Sequence, residues 1–79
     1  MEIGTILADA RRAAGLQQKE VAEALGISPS YLCDLESNRR PFPLARVERL
    51  PPAIRSRVAA AILASREADA LLLGRWVNG

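Results

Sequence analysis

Between residues 25 and 29 the chain carries helix-ending and helix-starting residues that limit its fold more than any other feature. Gly26 is suited to the left-handed backbone conformation that ends a helix. Two residues later, Ser28 is a good N-cap, and Pro29 fits the first turn of a new helix. The chain is therefore predicted to end one helix near Leu25 and to begin another at Pro29.

Apolar residues lie at helical spacing on both sides of this turn. We expect one helix over about 18–25 and a second over about 29–37, with Asn38 in the left-handed conformation that follows it. Two short helices joined by a tight turn containing glycine form a helix-turn-helix, which lays its second helix in the major groove of DNA. The apolar positions predicted to face the core are Val21, Ala22, Leu25, Leu32 and Leu35.

Further helices are predicted on both sides of this pair. An amphipathic helix is expected over 3–14, because its apolar residues recur at spacings of three and four. A short helix over about 44–50 is stopped by two prolines, and the last helix starts near residue 53. The polar residues 65–69 either lie within the last helix or interrupt it. The predicted fold class is therefore all-α, with five or six helices.

The composition argues against an enzyme. The chain has no histidine and one cysteine, Cys33, which excludes most zinc sites and most pairs of a nucleophile with a base. We therefore expect no catalytic residue, no metal and no cofactor. Its 79 residues leave room for one small core, so we expect a single domain over 1–79, with its core at 3–50 and a helical extension at 53–77.

Several features favour a cytoplasmic location for this protein, where a DNA-binding chain would associate with the nucleoid. A lone cysteine suits a reducing compartment. The beginning of the chain does not resemble a signal peptide, and no apolar run approaches the roughly 20 residues that span a bilayer.

Positive charge is concentrated directly after the predicted second helix of the pair. Residues 39–57 contain six arginines and one acidic residue, Glu48, whereas residues 1–38 contain three basic and six acidic residues. Cations at the end of such a helix and in the following loop are well placed to bind DNA phosphates. The alternative is an arginine-rich face that is merely solvated. Beside a helix-turn-helix, we favour phosphate binding by Arg39 and Arg40.

The residues around the turn resemble the Cro/repressor-type helix-turn-helix, also called the xenobiotic response element family. The resemblance covers about residues 5–50. It implies a lambda-repressor-like fold and a sequence-specific regulator that binds double-stranded DNA. We expect this regulator to be a homodimeric repressor at an inverted repeat, and to act by occluding a promoter because so short a chain has no room for an effector domain. It rests on Leu16-Gln17-Gln18-Lys19-Glu20-Val21-Ala22-Glu23-Ala24-Leu25-Gly26-Ile27-Ser28, Ser30-Tyr31-Leu32 and Leu35-Glu36.

The same resemblance implies roles for individual residues. Arg11 and Glu36 match an internal ion pair between the first helix and the end of the third, a structural role. Gln18 matches a glutamine that binds a phosphate while supporting the third helix. The complete set of predicted phosphate-binding residues is Gln17, Gln18, Lys19, Tyr31, Arg39 and Arg40.

Four residues are predicted to face the bases, because they lie opposite the core leucines of the third helix: Pro29, Ser30, Cys33 and Asp34. Many members of the family carry longer polar side chains at some of these positions. Asp34 has two interpretations. Its carboxylate is able to accept a hydrogen bond from the amino group of cytosine, or it is solvated or paired with an arginine.

The end of the chain is rich in apolar residues. We expect Leu71, Leu72 and Trp76 to form a dimer interface, because a core this small cannot easily bury them as well. In a second interpretation this segment folds back and completes the core of a monomer. Two further alternatives are an antitoxin-like or adaptor protein that binds a protein partner, and a fold that no longer reads an operator.

Overall fold

The computed structural model describes the backbone of residues 2–78 and the side chains of residues 2–65. The described backbone is helical and contains no strand, which confirms the all-α prediction. No helix in this part of the chain has the length and apolar character needed to cross a membrane. The elements in chain order are α1 (Ile3–Ala13), α2 (Gln18–Leu25), α3 (Pro29–Glu36), a 3-10 helix (Leu44–Arg49) and α4 (Pro52–Asn78).

Helices α1, α2 and α3 end in the same way. After each helix one residue adopts the left-handed conformation, and the next residue donates its amide N–H to a carbonyl five residues back. This motif satisfies carbonyl groups that would otherwise lack a partner, and it turns the chain sharply. The prediction for Asn38 is confirmed. The left-handed residues are Gly15, Gly26 and Asn38, with φ angles of 72°, 70° and 61°.

The beginning of each helix of the central pair is held by a local hydrogen bond. Ser28 accepts the amide N–H of Tyr31 at 3.0 Å through its hydroxyl oxygen, as expected of an N-cap. In α2 the Glu20 carboxylate accepts the amide N–H of Gln17 at 3.1 Å. The predicted boundaries at residues 18, 25 and 29 are confirmed. They could be predicted because the residues that end and begin these helices act locally.

The core lies between the α2–α3 pair on one side and α1 with the first half of α4 on the other. The leucines of α3 are buried, as are Val21, Ala22 and Leu25 of α2, so the opposite face of α3 is directed away from the protein. The largest fully buried side chains are Leu7, Leu25, Leu32, Leu35, Leu50, Ile54, Val21 and Val58.

One prediction about the second half of the chain needs correction. The segment predicted as a helix over 44–50 forms a 3-10 helix over Leu44–Arg49, with Arg46 N–H donating to the carbonyl of Pro43 at 2.8 Å. Prolines on both sides leave only a few residues here, and such short pieces favour the tighter helix.

Over residues 2–78, the structure also decides between the five and six helices that the sequence left open, in favour of five. The backbone of α4 runs without interruption from Pro52 to Asn78, so the polar residues 65–69 do not divide it. Arginine, glutamate and alanine in that patch are good helix formers, which explains the continuity. The predicted dimer residues Leu71, Leu72 and Trp76 lie outside the residues whose side chains are described.

Candidate nucleic-acid interface

One face of α3 carries all four residues predicted to contact bases. Pro29 and Ser30 in its first turn are exposed, and Cys33 and Asp34 one turn later are partly exposed. They lie opposite the buried leucines of the same helix. The structure therefore brings these residues together on an outward surface that is accessible to a ligand.

Arg11 and Glu36 form a bidentate ion pair between α1 and α3. The Nε of Arg11 donates to Oε2 of Glu36 at 2.7 Å, and Nη2 donates to Oε1 at 3.2 Å. The two side chains are only 12% and 5% exposed. Charge-assisted bonds of this geometry are among the stronger polar interactions in proteins, so the pair fixes α3 against α1.

Gln18 joins this pair from α2. Its side-chain amide donates to Oε1 of Glu36 at 2.8 Å, while Nη1 of Arg11 donates to the carbonyl of Leu16 at 3.0 Å. Glu36 thus receives bonds from α1 and α2 at once. All three helices meet at one buried carboxylate, which sets the angle at which α3 is presented.

The start of α2 lies next to this network. Gln17 and Lys19 flank Gln18 and are exposed, whereas Gln18 is partly buried by its bond to Glu36. The predicted phosphate-binding residues of α2 are therefore adjacent in space as well as in sequence. A helix N-terminus also offers unpaired amide N–H groups to an anion.

In the same last turn of α3 as Glu36, Asp34 is paired with both arginines of the following loop. Its Oδ1 accepts from Nε of Arg39 at 3.1 Å, and its Oδ2 accepts from Nε of Arg40 at 3.5 Å. The guanidinium of Arg40 also lies over the ring of Tyr31, 5.2 Å from its centroid. Of the two sequence-based interpretations of Asp34, the structure shows pairing with arginine.

Two further contacts position the helix pair, and the sequence did not indicate them. Nη1 of Arg46 donates to the carbonyls of Leu25 and Gly26 at 3.1 and 3.3 Å, so a cation caps the end of α2. The Asn38 side chain donates to the hydroxyl of Thr5 at 3.0 Å, which ties the end of α3 to α1. For the contact of Arg46, the sequence offered one signal, the excess of arginines after α3. That excess did not indicate which group Arg46 would bind.

Metal binding finds no support in the described part of the chain. Among these residues, no three acidic or cysteine side chains are grouped as a metal site requires. The expectations that the chain is not an enzyme and needs no cofactor stay predictions.

Comparison with known proteins gives one match. Residues 2–51 match the family model described as a helix-turn-helix domain. This range includes α1, α2, α3 and the 3-10 helix, and it ends one residue before α4 begins. No curated protein and no solved structure is significantly similar to this chain.

Proposed function

Because this chain belongs to the family of helix-turn-helix domains, we propose that it regulates transcription as a homodimeric repressor that binds double-stranded DNA in a sequence-specific manner. The observation that supports this most is the outward face of α3, which is held at a fixed angle by the network of Arg11, Gln18 and Glu36. A helix positioned in this way fits the width of the major groove.

In the proposed complex the first turns of α3 meet the base edges. Pro29 offers apolar surface to a thymine methyl group, and the hydroxyl of Ser30 is able to donate to or accept from several bases. Cys33 and Asp34 complete this surface one turn later. Because Pro29 and Ser30 are short, the first turn of α3 is able to approach the floor of the groove closely.

Phosphates flank this surface in the proposed complex. Gln17, Gln18 and Lys19 at the start of α2 supply amide and ammonium donors. Tyr31 in the first turn of α3 and the loop arginines after its last turn, Arg39 and Arg40, provide the second group of predicted donors. Phosphate contacts set the position of a protein on the duplex without reading sequence.

Dimerisation follows from the small number of base contacts that one α3 makes. A few contacts, at about 1–3 kcal/mol each, discriminate too weakly to select one site among a genome of competitors. Two copies related by a two-fold axis roughly double this discrimination. We propose that Leu71, Leu72 and Trp76 hold the dimer, and that the bound protein represses by covering a promoter.

Selection from a pool of random duplex DNA tests this function. The purified protein is expected to enrich an inverted repeat whose half-site centres lie about 10 base pairs apart, or a multiple of that distance. Enrichment of a single half-site would contradict the dimer but keep the DNA-binding function. Binding without enrichment of any sequence, or no binding at all, would overturn the proposed function.

Replacement of Lys19 by alanine tests the phosphate contacts of α2. The slope of log affinity against log salt is expected to become shallower by about one, equally for the selected duplex and an unrelated one, because one counterion-releasing contact is lost. Arg57→Ala is the matched control, since it removes one exposed positive charge from α4. Equal slopes for Lys19→Ala and the unmodified protein would place Lys19 away from the DNA.

A further inference from the structure

The end of α3 differs from the ends of α1 and α2 in one respect. In the first two, the residue after the left-handed position is apolar and packs against the core: Leu16 after α1 and Ile27 after α2. An apolar contact at this place commonly accompanies the motif. After α3 the corresponding residue is Arg39, which is exposed. The same backbone turn therefore directs an arginine, instead of a core residue, back over its helix.

Arg39 is attached to Asp34 through both its backbone and its side chain. Its amide N–H donates to the carbonyl of Asp34 at 2.9 Å, and its Nε donates to Oδ1 of Asp34 at 3.1 Å. Its Nη2 lies 3.9 Å from Sγ of Cys33. Both partners belong to the base-facing surface of α3, so the guanidinium lies on that surface.

The far edge of this guanidinium remains available. Nε is directed toward Asp34, and within the described part of the chain Nη1 has no protein partner. The side chain is 64% exposed despite its ion pair. Nη1 and Nη2 can together donate two parallel hydrogen bonds, which match the O6 and N7 acceptors of guanine in the major groove.

The carboxylate beneath Arg39 favours a base edge over a phosphate. A phosphate is bound chiefly through charge, and Asp34 offsets part of the charge of Arg39 and repels an approaching phosphate. Guanine O6 and N7 are neutral acceptors, for which the direction of the donors matters more than net charge. The ion pair with Asp34 holds the guanidinium of Arg39 in one orientation, so its N–H donors keep the direction that a base contact requires.

The rest of the surface leaves room for this contact. Pro29, Ser30 and Cys33 are short, so a long side chain lying across α3 reaches further toward the bases than they do. Arg40 is held differently, since its guanidinium lies over Tyr31 at the flank of the helix. Of the two loop arginines, Arg39 alone contacts both Asp34 and Cys33.

From this arrangement we propose that Arg39 is a specificity-determining residue that reads guanine, and that Asp34 is the positioning residue that orients it. This inference rests on the proposed DNA-binding function. It replaces the assignment of Arg39 to a phosphate that the sequence pattern suggested.

Selection from random duplex DNA with charge-matched variants tests the inference. The variants are Arg39→Lys, which keeps the charge but lacks the planar pair of donors, and Asp34→Asn, which keeps the shape but loses the charge. Arg57→Lys, at an exposed position of α4, is the control. Melting curves verify that all variants fold, and each enriched duplex is then titrated at one salt concentration.

The unmodified protein and Arg57→Lys are expected to enrich guanine at one fixed position of the site. With Arg39→Lys, discrimination between guanine and the other bases at that position falls by about 5- to 150-fold, while the salt slope is unchanged. Asp34→Asn weakens the same discrimination without weakening binding to unselected DNA. Replacing that guanine by 7-deazaguanine, which lacks the N7 acceptor, weakens binding of the unmodified protein more than binding of Arg39→Lys, whose ammonium lacks the planar pair of donors.

Three results would overturn the inference, and they can be told apart. If Arg39→Lys enriches the same base with equal discrimination, and 7-deazaguanine does not weaken binding of the unmodified protein, Arg39 binds a phosphate and the proposed function stands. If Asp34→Asn loses a preference for a guanine–cytosine pair that Arg39→Lys retains, Asp34 itself reads cytosine. If the unmodified protein enriches no sequence, the proposed function fails as well.

Discussion

Replacing Glu36 with alanine is expected to lower the free energy of unfolding by about 3–5 kcal/mol, since it leaves the Arg11 guanidinium buried without its partner. The Gln18 amide loses its acceptor in the same step. A chain of this size has about 5–10 kcal/mol of stability in total, so the variant is expected to be largely unfolded under mild denaturing conditions. Urea denaturation followed by circular dichroism measures the change.

Glu23→Ala is the matched control, because Glu23 is an exposed glutamate on α2. Its free energy of unfolding is expected to stay within about 0.5 kcal/mol of the parent value. Glu36→Gln keeps an acceptor oxygen in place, so its free energy of unfolding is expected to lie between those of Glu36→Ala and Glu23→Ala. Equal unfolding curves for Glu36→Ala and Glu23→Ala would show that the buried carboxylate does not hold the three helices together.

Replacing Gly4 with alanine is expected to destabilise the fold by about 3 kcal/mol, the upper part of the range for overpacking. A Cβ atom at this position would collide with the backbone carbonyl of Leu35 and with the side-chain amide of Asn38. Neither neighbour moves easily, since the carbonyl accepts the N–H of Asn38 and the amide is bonded to Thr5. Denaturation with urea reports the loss of stability.

Gly15→Ala separates this collision from the general effect of replacing a glycine. A Cβ at Gly15 would have open space around it, so only its positive φ opposes alanine, at a cost of about 1 kcal/mol. Inside a helix, by contrast, alanine is intrinsically better than glycine by about 1 kcal/mol. A Gly4→Ala protein as stable as its parent would mean that α1 and α3 do not approach each other closely at this point.

Local signals explain why the helices of the pair could be predicted from the sequence. Gly26, Ser28 and Pro29 determine their own backbone conformations, and Asn38 tolerates the left-handed region better than most residues. The angle of α3, however, depends on the contact of Glu36 with Arg11, 25 residues away. Only resemblance to a family indicated that pair, because helical periodicity carries no information on which helices meet.

The one correction and the missed contacts have different physical origins. The 3-10 helix at Leu44–Arg49 reflects the prolines around it, whose combined effect on so short a segment is not visible in apolar spacing. The contact of Arg46 with α2 depends on how the fold places that segment, 21 residues further along the chain than Leu25. The left-handed turn at Asn38 directs the loop arginines back toward Asp34. The sequence predicted this turn but did not indicate which side chains it would bring together.

The central claim is that the outward face of α3, together with the start of α2, forms the surface that holds duplex DNA. Titration of isotope-labelled protein with the selected duplex, followed by amide chemical shifts in nuclear magnetic resonance spectra, tests it most directly. The largest changes are expected at residues 17–19 of α2, at the exposed positions of α3 and in the loop after Asn38. The surface around Leu63, which is 60% exposed on α4, is expected to change little. Changes concentrated around Leu63, with α3 unaffected, would contradict the claim and place the DNA-contacting surface on α4.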